Sequence, residues 1–273
     1  MLLRYPGGKS RGALAKRIIA AIKGQLVTSC GKFGELFFGG GGITFALLKE
    51  QHTTGETLIK QLLINDLDIS IAVLWNNVIH DPRRLQRDIA NFQPSVPEFV
   101  AAKERVRADR GSALDTIVVN RLSHGGRGVM GGPQGGVAQT GNYKIGCRWN
   151  GERLIADVEE AHRLLTSVKL YGDRCGCQGF DAYMGEKFND FVFYLDPPYI
   201  AQGPALYQHS FAEGHDWLAA SLSKRRNWVL SYDNHTDVFA LYRQQHIETM
   251  SHAGNGGSKQ EDRELIITPR NAS

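Results

Sequence analysis

No stretch of the chain approaches the ~20 uninterrupted apolar residues of a membrane-crossing helix, and the first segment, MLLRYPGGKSRGALAKR, is broken by Arg4, Lys9 and Arg11. Neither secretion nor membrane insertion is therefore expected, and a cytoplasmic protein is. Cysteine is scarce, at four in 273 residues. Cys30 and Cys147 stand alone, and Cys175 and Cys177 flank a single glycine, a spacing of neither zinc knuckles nor redox pairs. Reduced thiols and no bound metal are the expectation. Charge of one sign is also in short supply: the net charge is +4, short of a strongly basic nucleic-acid binder. The stretch RYPGGKS ends like a phosphate-cradling loop, yet Leu3 stands where its first glycine belongs and the chain leaves no room for a preceding strand. Both failures count against a nucleotide hydrolase.

What is present is ordinary for a folded protein, 42% hydrophobic and 22% charged. Leu14, Ile18 and Ile22 recur every four residues between charges, which predicts an amphipathic helix after the Gly-Gly-Lys turn. KFGELFFGGGGITFALLKE reads as strand, tight turn and helix; LLIND as a buried strand ending in acid; ISIAVLWNNVIH as a helix closed by Asp81-Pro82. The alternation resumes with FVFYLDPPY, DWLAASLSKR, NWVLSYD, TDVFALYRQ, HIETM and ELIIT. Alternating strands and helices predict an α/β fold with a parallel sheet covered on both faces. Between them, residues 83–166 hold charged helical segments around a glycine-dense stretch, SHGGRGVMGGPQGGVAQTGNYKIG, expected to be a long loop or irregular hairpin, functional or disordered. The predicted organisation is one domain, 1–82 and 167–273, interrupted by an insertion. Trp75 and Trp217, both in helical patterns, are expected in the core.

The strongest chemical signal is Asp196-Pro197-Pro198-Tyr199, directly after the apolar run FVFYL. A strand ending in this way places an acid and an aromatic at the carboxyl edge of a parallel sheet, where ligands bind in open α/β folds. Asp196 is an acceptor, the prolines fix the backbone while leaving carbonyls free, and Tyr199 offers a stacking face. Together they suit a planar ring bearing an exocyclic amino group. Such a nitrogen is a poor nucleophile because its lone pair is delocalised; two acceptors gripping its hydrogens favour a pyramidal nitrogen aimed at an electrophile. The glycine run, preceded by Glu35 and followed by Asp66 at the end of the next strand, resembles a nucleoside site in which the second acid binds ribose hydroxyls. Without the usual dinucleotide spacing, a nucleoside lacking pyrophosphate fits better.

These residues together resemble the Dam-type DNA adenine-N6 methyltransferases, a family that uses S-adenosylmethionine. The resemblance implies a Rossmann-like methyltransferase sheet with helices on both faces and an inserted target-recognition domain. RYPGGK is similar to the family's N-terminal cofactor motif, which assigns Tyr5 and Lys9 to the cofactor. GELFFGGGG is similar to its glycine loop, adding Glu35, Phe37, Gly39 and Gly41, with Leu36 in place of the usual proline. Asp66 stands at the ribose-binding acid and Phe180 at the aromatic that packs on the cofactor's adenine; Asp181 is a further candidate, and Gly179 replaces a residue that is commonly polar. DPPY is the catalytic motif, so Asp196, Pro197, Pro198 and Tyr199 are its catalytic residues, with Asp196 also against the cofactor. VLSYDN and AGNGGSKQEDRELII are similar to later segments of the family.

The resemblance also implies double-stranded DNA as partner, a flipped target base, a monomer, bacterial or phage origin, and room for a cognate restriction enzyme. Asn120-Arg121 begins a segment similar to the family's N-R-x-x-x-x-G. Arg121, Arg127, Lys144 and Arg148 are the expected DNA contacts, with Gln134, Gln139 and Asn142 as further donor-bearing residues. His124 fits DNA contact and a solvated loop equally, and Asp233 fits the target pocket and a turn equally. RNA adenine methylation and a non-catalytic DNA-binding role are the competing readings.

Overall fold

The computed structural model describes residues 1–4, 12–27, 29–200, 211, 214–252 and 262–270. Helix α1 (Gly12–Leu26) precedes β1 (Lys32–Glu35), α2 (Gly42–Thr54), β2 (Gln61–Asn65) and α3 (Ile69–His80). Then come α4 (Pro82–Asn91), α5 (Val96–Arg107), α6 (Ala113–Leu122), three short 3-10 turns between residues 124 and 148, and α7 (Gly151–Thr166). The chain closes with β3 (Lys169–Gly176), β4 (Val192–Leu195), α8 (Gly214–Leu222), β5 (Trp228–Asp233), α9 (Thr236–Leu241), β6 (His246–His252) and β7 (Asp262–Thr268).

The seven strands lie in the order β3-β2-β1-β4-β5-β7-β6. The first five run parallel, whereas β7 is antiparallel to both neighbours, so the fully parallel sheet expected from the alternation gives way to a reversed strand at one side. The physical reason is the connection: β6 ends at His252 and β7 begins at Asp262, too short a span for the crossover of about a dozen or more residues that parallel neighbours need. Alternate residues of the strands feed two separate cores. Leu62, Ile64, Val192, Tyr194, Val229 and Ile266 face α1, α2, α3 and α7, while Leu63, Phe193, Leu195, Trp228, Leu230 and Leu265 face α8, α9 and the segment around Phe180. Both faces are thus covered, which is why the central strands read as unbroken apolar runs. Close packing leaves one position on β1 only a hydrogen: a Cβ on Gly34 would stand 2.5 Å from the Phe193 ring.

Strand β3 carries no apolar run. Only Leu170 and Cys175 are buried along KLYGDRCG, and its pairing with β2 shifts register between Leu62 and Ile64, where Gly172 and Asp173 take positive φ. As one of the two edge strands it needs little apolar surface. Residues 83–166 divide in two. Leu85 and Ile89 of α4 and Leu154, Val158, Ala161, Leu164 and Leu165 of α7 belong to the main core, whereas Phe99, Ala102, Val106, Val118, Val119, Leu122 and Ile145 form a small core of their own. The glycine-dense stretch is fastened by a bridge from Ser123 to Pro133, by its short turns, and by Lys103 and Arg107 of α5, which donate to the Gly131 and Val129 carbonyls. Trp75 is in the core at 1% exposure, but Trp217 is 53% exposed. The helical period places Trp217 on the outer side of α8, opposite the buried Leu218 and Leu222. Among the described residues no helix is long and apolar enough to cross a membrane.

Candidate active site

The chain winds outward from β1 to β2 and β3, then returns to β4 on the other flank of β1. Between the carboxyl ends of β1 and β4 lies the switch point at which open α/β sheets bind ligands. Glu35 ends β1, opposite Tyr194 of β4, and Asp196 follows β4. Asp66 follows β2, Asp233 ends β5, and Glu264 lies on β7 in register with Asp233. Five acids therefore gather along one edge of the sheet.

Donors of the glycine turn and of the neighbouring helix and loop starts hold Glu35 and Asp66. Thr44, in the first turn of α2, gives Glu35 Oε2 both its N–H, at 3.1 Å, and its hydroxyl. Burial nevertheless raises the Glu35 pKa to about 8, with the fields of Asp196 and Asp66 adding to the effect. Asp66 accepts the Gly39 N–H at 2.7 Å and the Asp68 N–H at 3.0 Å, and desolvation lifts it to about 7. The glycine turn is shaped by packing: Gly41 has φ of 63°, and a Cβ there would come 2.6 Å from the Phe38 ring. Trp75 Nε1 donates to the Gly39 carbonyl at 2.8 Å and closes the turn from beneath.

Asn65, which sequence reasoning passed over, is the hub of this half. Its Nδ2 donates to the Leu36 and Gln178 carbonyls, and its Oδ1 accepts from Gln178 N–H and the Tyr183 hydroxyl, all at 2.9 to 3.1 Å. At 1% exposure it joins the end of β2 to the segment that presents Phe180. The available signal was an asparagine inside the apolar run LLIND, since a buried polar side chain must find partners. Phe180 lies 6.3 Å from Phe37 and 5.2 Å from Trp217, ring centre to ring centre. Asp181 is exposed, with its carboxylate folded over Gly179 where a Cβ would otherwise lie. Tyr5 and Lys9 lie outside the described residues.

Side-chain hydroxyls hold the other half. Ser231 of β5 donates to Asp196 Oδ1 at 3.2 Å, so the Tyr194 O–H is the donor in its 2.9 Å contact with Ser231. Tyr194 and Ser231 are fully buried and Asp196 is partly exposed, which makes the pair a rigid base beneath a reachable carboxylate. Pro197 is buried, Pro198 and Tyr199 are partly exposed, and the Tyr199 hydroxyl donates to Glu264 Oε1. Ser231 and Glu264 lie in the quoted segments VLSYDN and AGNGGSKQEDRELII, but nothing in the sequence singled out either residue.

The expected DNA contacts separate. Arg127 and Lys144 are exposed and Arg148 is half-buried on the inserted segment. Arg121 is 6% exposed; its Nε donates to the Leu2 carbonyl at 2.8 Å, another guanidinium nitrogen donates to the Met1 carbonyl, and burial lowers its pKa to about 10. Asn120 beside it bonds both the N–H and the carbonyl of Arg4. A guanidinium so enclosed is not placed to meet a phosphate: Asn120 and Arg121 fasten the segment leading to Tyr5 onto α6. Gln139 is likewise committed within its own loop, to Gln134, Gly136 and Ile145, and Gln134 is buried. His124 and Asn142 are exposed, and Asp233 shares the sheet edge with Asp196. Cys175 is buried, and desolvation raises its thiol well above the ordinary range.

No curated protein matches the chain. The family model described as D12 class N6 adenine-specific DNA methyltransferase matches residues 5–253, a span that takes in the glycine turn, the inserted segment and the DPPY edge. With that match over most of its length, and a Rossmann-like methyltransferase sheet carrying its acids at the switch point, this chain belongs to the D12 class N6 adenine-specific DNA methyltransferase family and is an adenine-specific DNA methyltransferase.

Proposed function

We propose that the enzyme transfers the methyl group of S-adenosylmethionine to N6 of an adenine flipped out of a specific sequence in double-stranded DNA. The observation that carries this reading is the placement of Asp196-Pro197-Pro198-Tyr199 at the end of β4, against the β1 edge that bears Glu35. The edge fits the donor: acids at the ends of β1 and β2 match a ligand with cationic groups, and Phe37 and Phe180 supply faces for a purine. Asp66 would hold ribose hydroxyls, with Glu35, Phe37, Gly39, Gly41, Phe180 and Asp196 lining the rest; Tyr5 and Lys9 join them from the sequence. When bound, the donor supplies an electrophilic methyl carbon on a sulfonium.

The remaining work falls to the chain itself. An adenine within a duplex is out of reach, so extrusion costs a few kcal/mol, part of which stacking on Tyr199 offsets. Asp196 and the Pro197 carbonyl accept the two N6 hydrogens and hold the nitrogen pyramidal, with Ser231 fixing the carboxylate. Arg127, Lys144 and Arg148 approach the duplex, and one copy of the chain provides every group named. A restriction enzyme cutting the same sequence would be the partner of a protective role.

Incubation with labelled S-adenosylmethionine and either duplex DNA or RNA, followed by identification of the modified base, tests the proposal. N6-methyladenine in duplex DNA is expected; label confined to RNA or to protein overturns it. DNA affinity should also fall steeply with added salt, as several phosphate contacts require.

A further inference from the structure

The catalytic Tyr199 is anchored from outside the DPPY motif, by a distant strand. Its hydroxyl donates to Glu264, a residue 6% exposed near the start of β7 and beyond residue 253, where the family match ends. Strand β7 is the reversed strand, paired through Leu230↔Ile267 to Asp233↔Glu264 with β5, and this register brings Glu264 to the edge where Tyr199 emerges. A tyrosine ring has two free torsions. A hydrogen bond at its far oxygen restrains both and uses only the ring's tip. Asp196 is anchored separately, by Ser231. Asp196 and Tyr199 thus have different supports.

We infer that Glu264 is a positioning residue for Tyr199: it fixes the ring on which the extruded adenine stacks, and so governs capture of the target base and not donor binding or the chemical step. The inference rests on the base-flipping reading above. Glu264 touches no reacting atom and acts through Tyr199.

The test is a steady-state comparison on unmethylated genomic DNA of wild type, Tyr199→Phe, Glu264→Ala, Glu264→Gln and the double variant Tyr199→Phe/Glu264→Ala. Loss of one buried hydrogen bond should raise the KM for DNA about tenfold in Tyr199→Phe and in Glu264→Ala, with kcat held within about threefold. The double variant should be no worse than either single one, and donor affinity should stay unchanged in all. Glu264→Gln keeps an acceptor oxygen and should remain within about threefold of wild type. An unchanged KM in Tyr199→Phe, additive losses in the double variant, or a parallel fall in donor affinity each overturns the inference. Should Glu264→Ala fail to fold, Tyr199→Phe against Glu264→Gln decides, equal values counting against it. A wild type inactive on DNA would instead sink the parent reading, and an active wild type with additive variants only this one.

Discussion

The two halves of the sheet edge are fixed by different chemistry. At the ends of β1 and β2, the acids Glu35 and Asp66 are held mostly by N–H groups, those of Thr44, Gly39 and Asp68, whose positions lie 9, 27 and 2 residues away, with the Thr44 hydroxyl added at Glu35. At the end of β4, Asp196 and Tyr199 are held by side chains 35 and 65 residues away. A site made from backbone needs glycines, a tight turn and short spacing. One made from side chains on distant strands needs only that the sheet be assembled. The first should fail when its turn is distorted, the second when a hydroxyl is removed, and neither loss should spread across the edge.

The largest expected effect is Asp196→Ala, which should lower turnover by ~100-fold or more, about 2.7 kcal/mol of transition-state stabilisation, while donor affinity changes far less. Equal turnover would remove Asp196 from the chemistry. Gly41→Ala should break the other half: a left-handed alanine whose Cβ meets Phe38 is expected to cost about 1–3 kcal/mol, read as a lower melting temperature together with weaker donor binding. Ser231→Ala should reduce kcat about tenfold through a misoriented carboxylate, with donor affinity intact. If Ser231→Ala weakened donor binding as much as Gly41→Ala, the division into halves would be wrong.

The smallest effect is one of pH. Glu35 and Asp66 are raised from 4.5 and 3.8 to about 8 and about 7. The folded state therefore binds more protons than the unfolded one between these limits, and stability from the two groups is full below the unfolded values and is lost as pH rises through the folded ones. Melting temperature of the ligand-free protein should fall from about pH 6 to pH 8.5 by more than in Glu35→Gln, which lacks the titrating group. A cationic ligand beside these acids reverses the trend, so its affinity should rise over the same interval.

How much was legible follows from the same division. The strands that cross the core announced themselves as apolar runs, and the glycine turn and DPPY are contiguous. Strand β3 escaped because an edge strand with two buried residues has no hydrophobic period to read. Arg121 misled because an arginine beside a glycine-rich loop looks the same whether it faces a duplex or enfolds a neighbouring backbone; only its burial against Met1 and Leu2 distinguishes them. Asn65, Ser231 and Glu264 were silent because each derives its meaning from partners brought near by the sheet.

The outward-facing Trp217 has a practical consequence. Trp75 and Trp228 are shut inside the protein, whereas the Trp217 indole is 53% exposed and 5.2 Å from Phe180. Its emission is therefore sensitive to whatever settles on the neighbouring ring. Titration with S-adenosylhomocysteine should quench and blue-shift the intrinsic fluorescence, and a Trp217→Phe variant should abolish that signal, giving this enzyme an unlabelled optical gauge of occupancy.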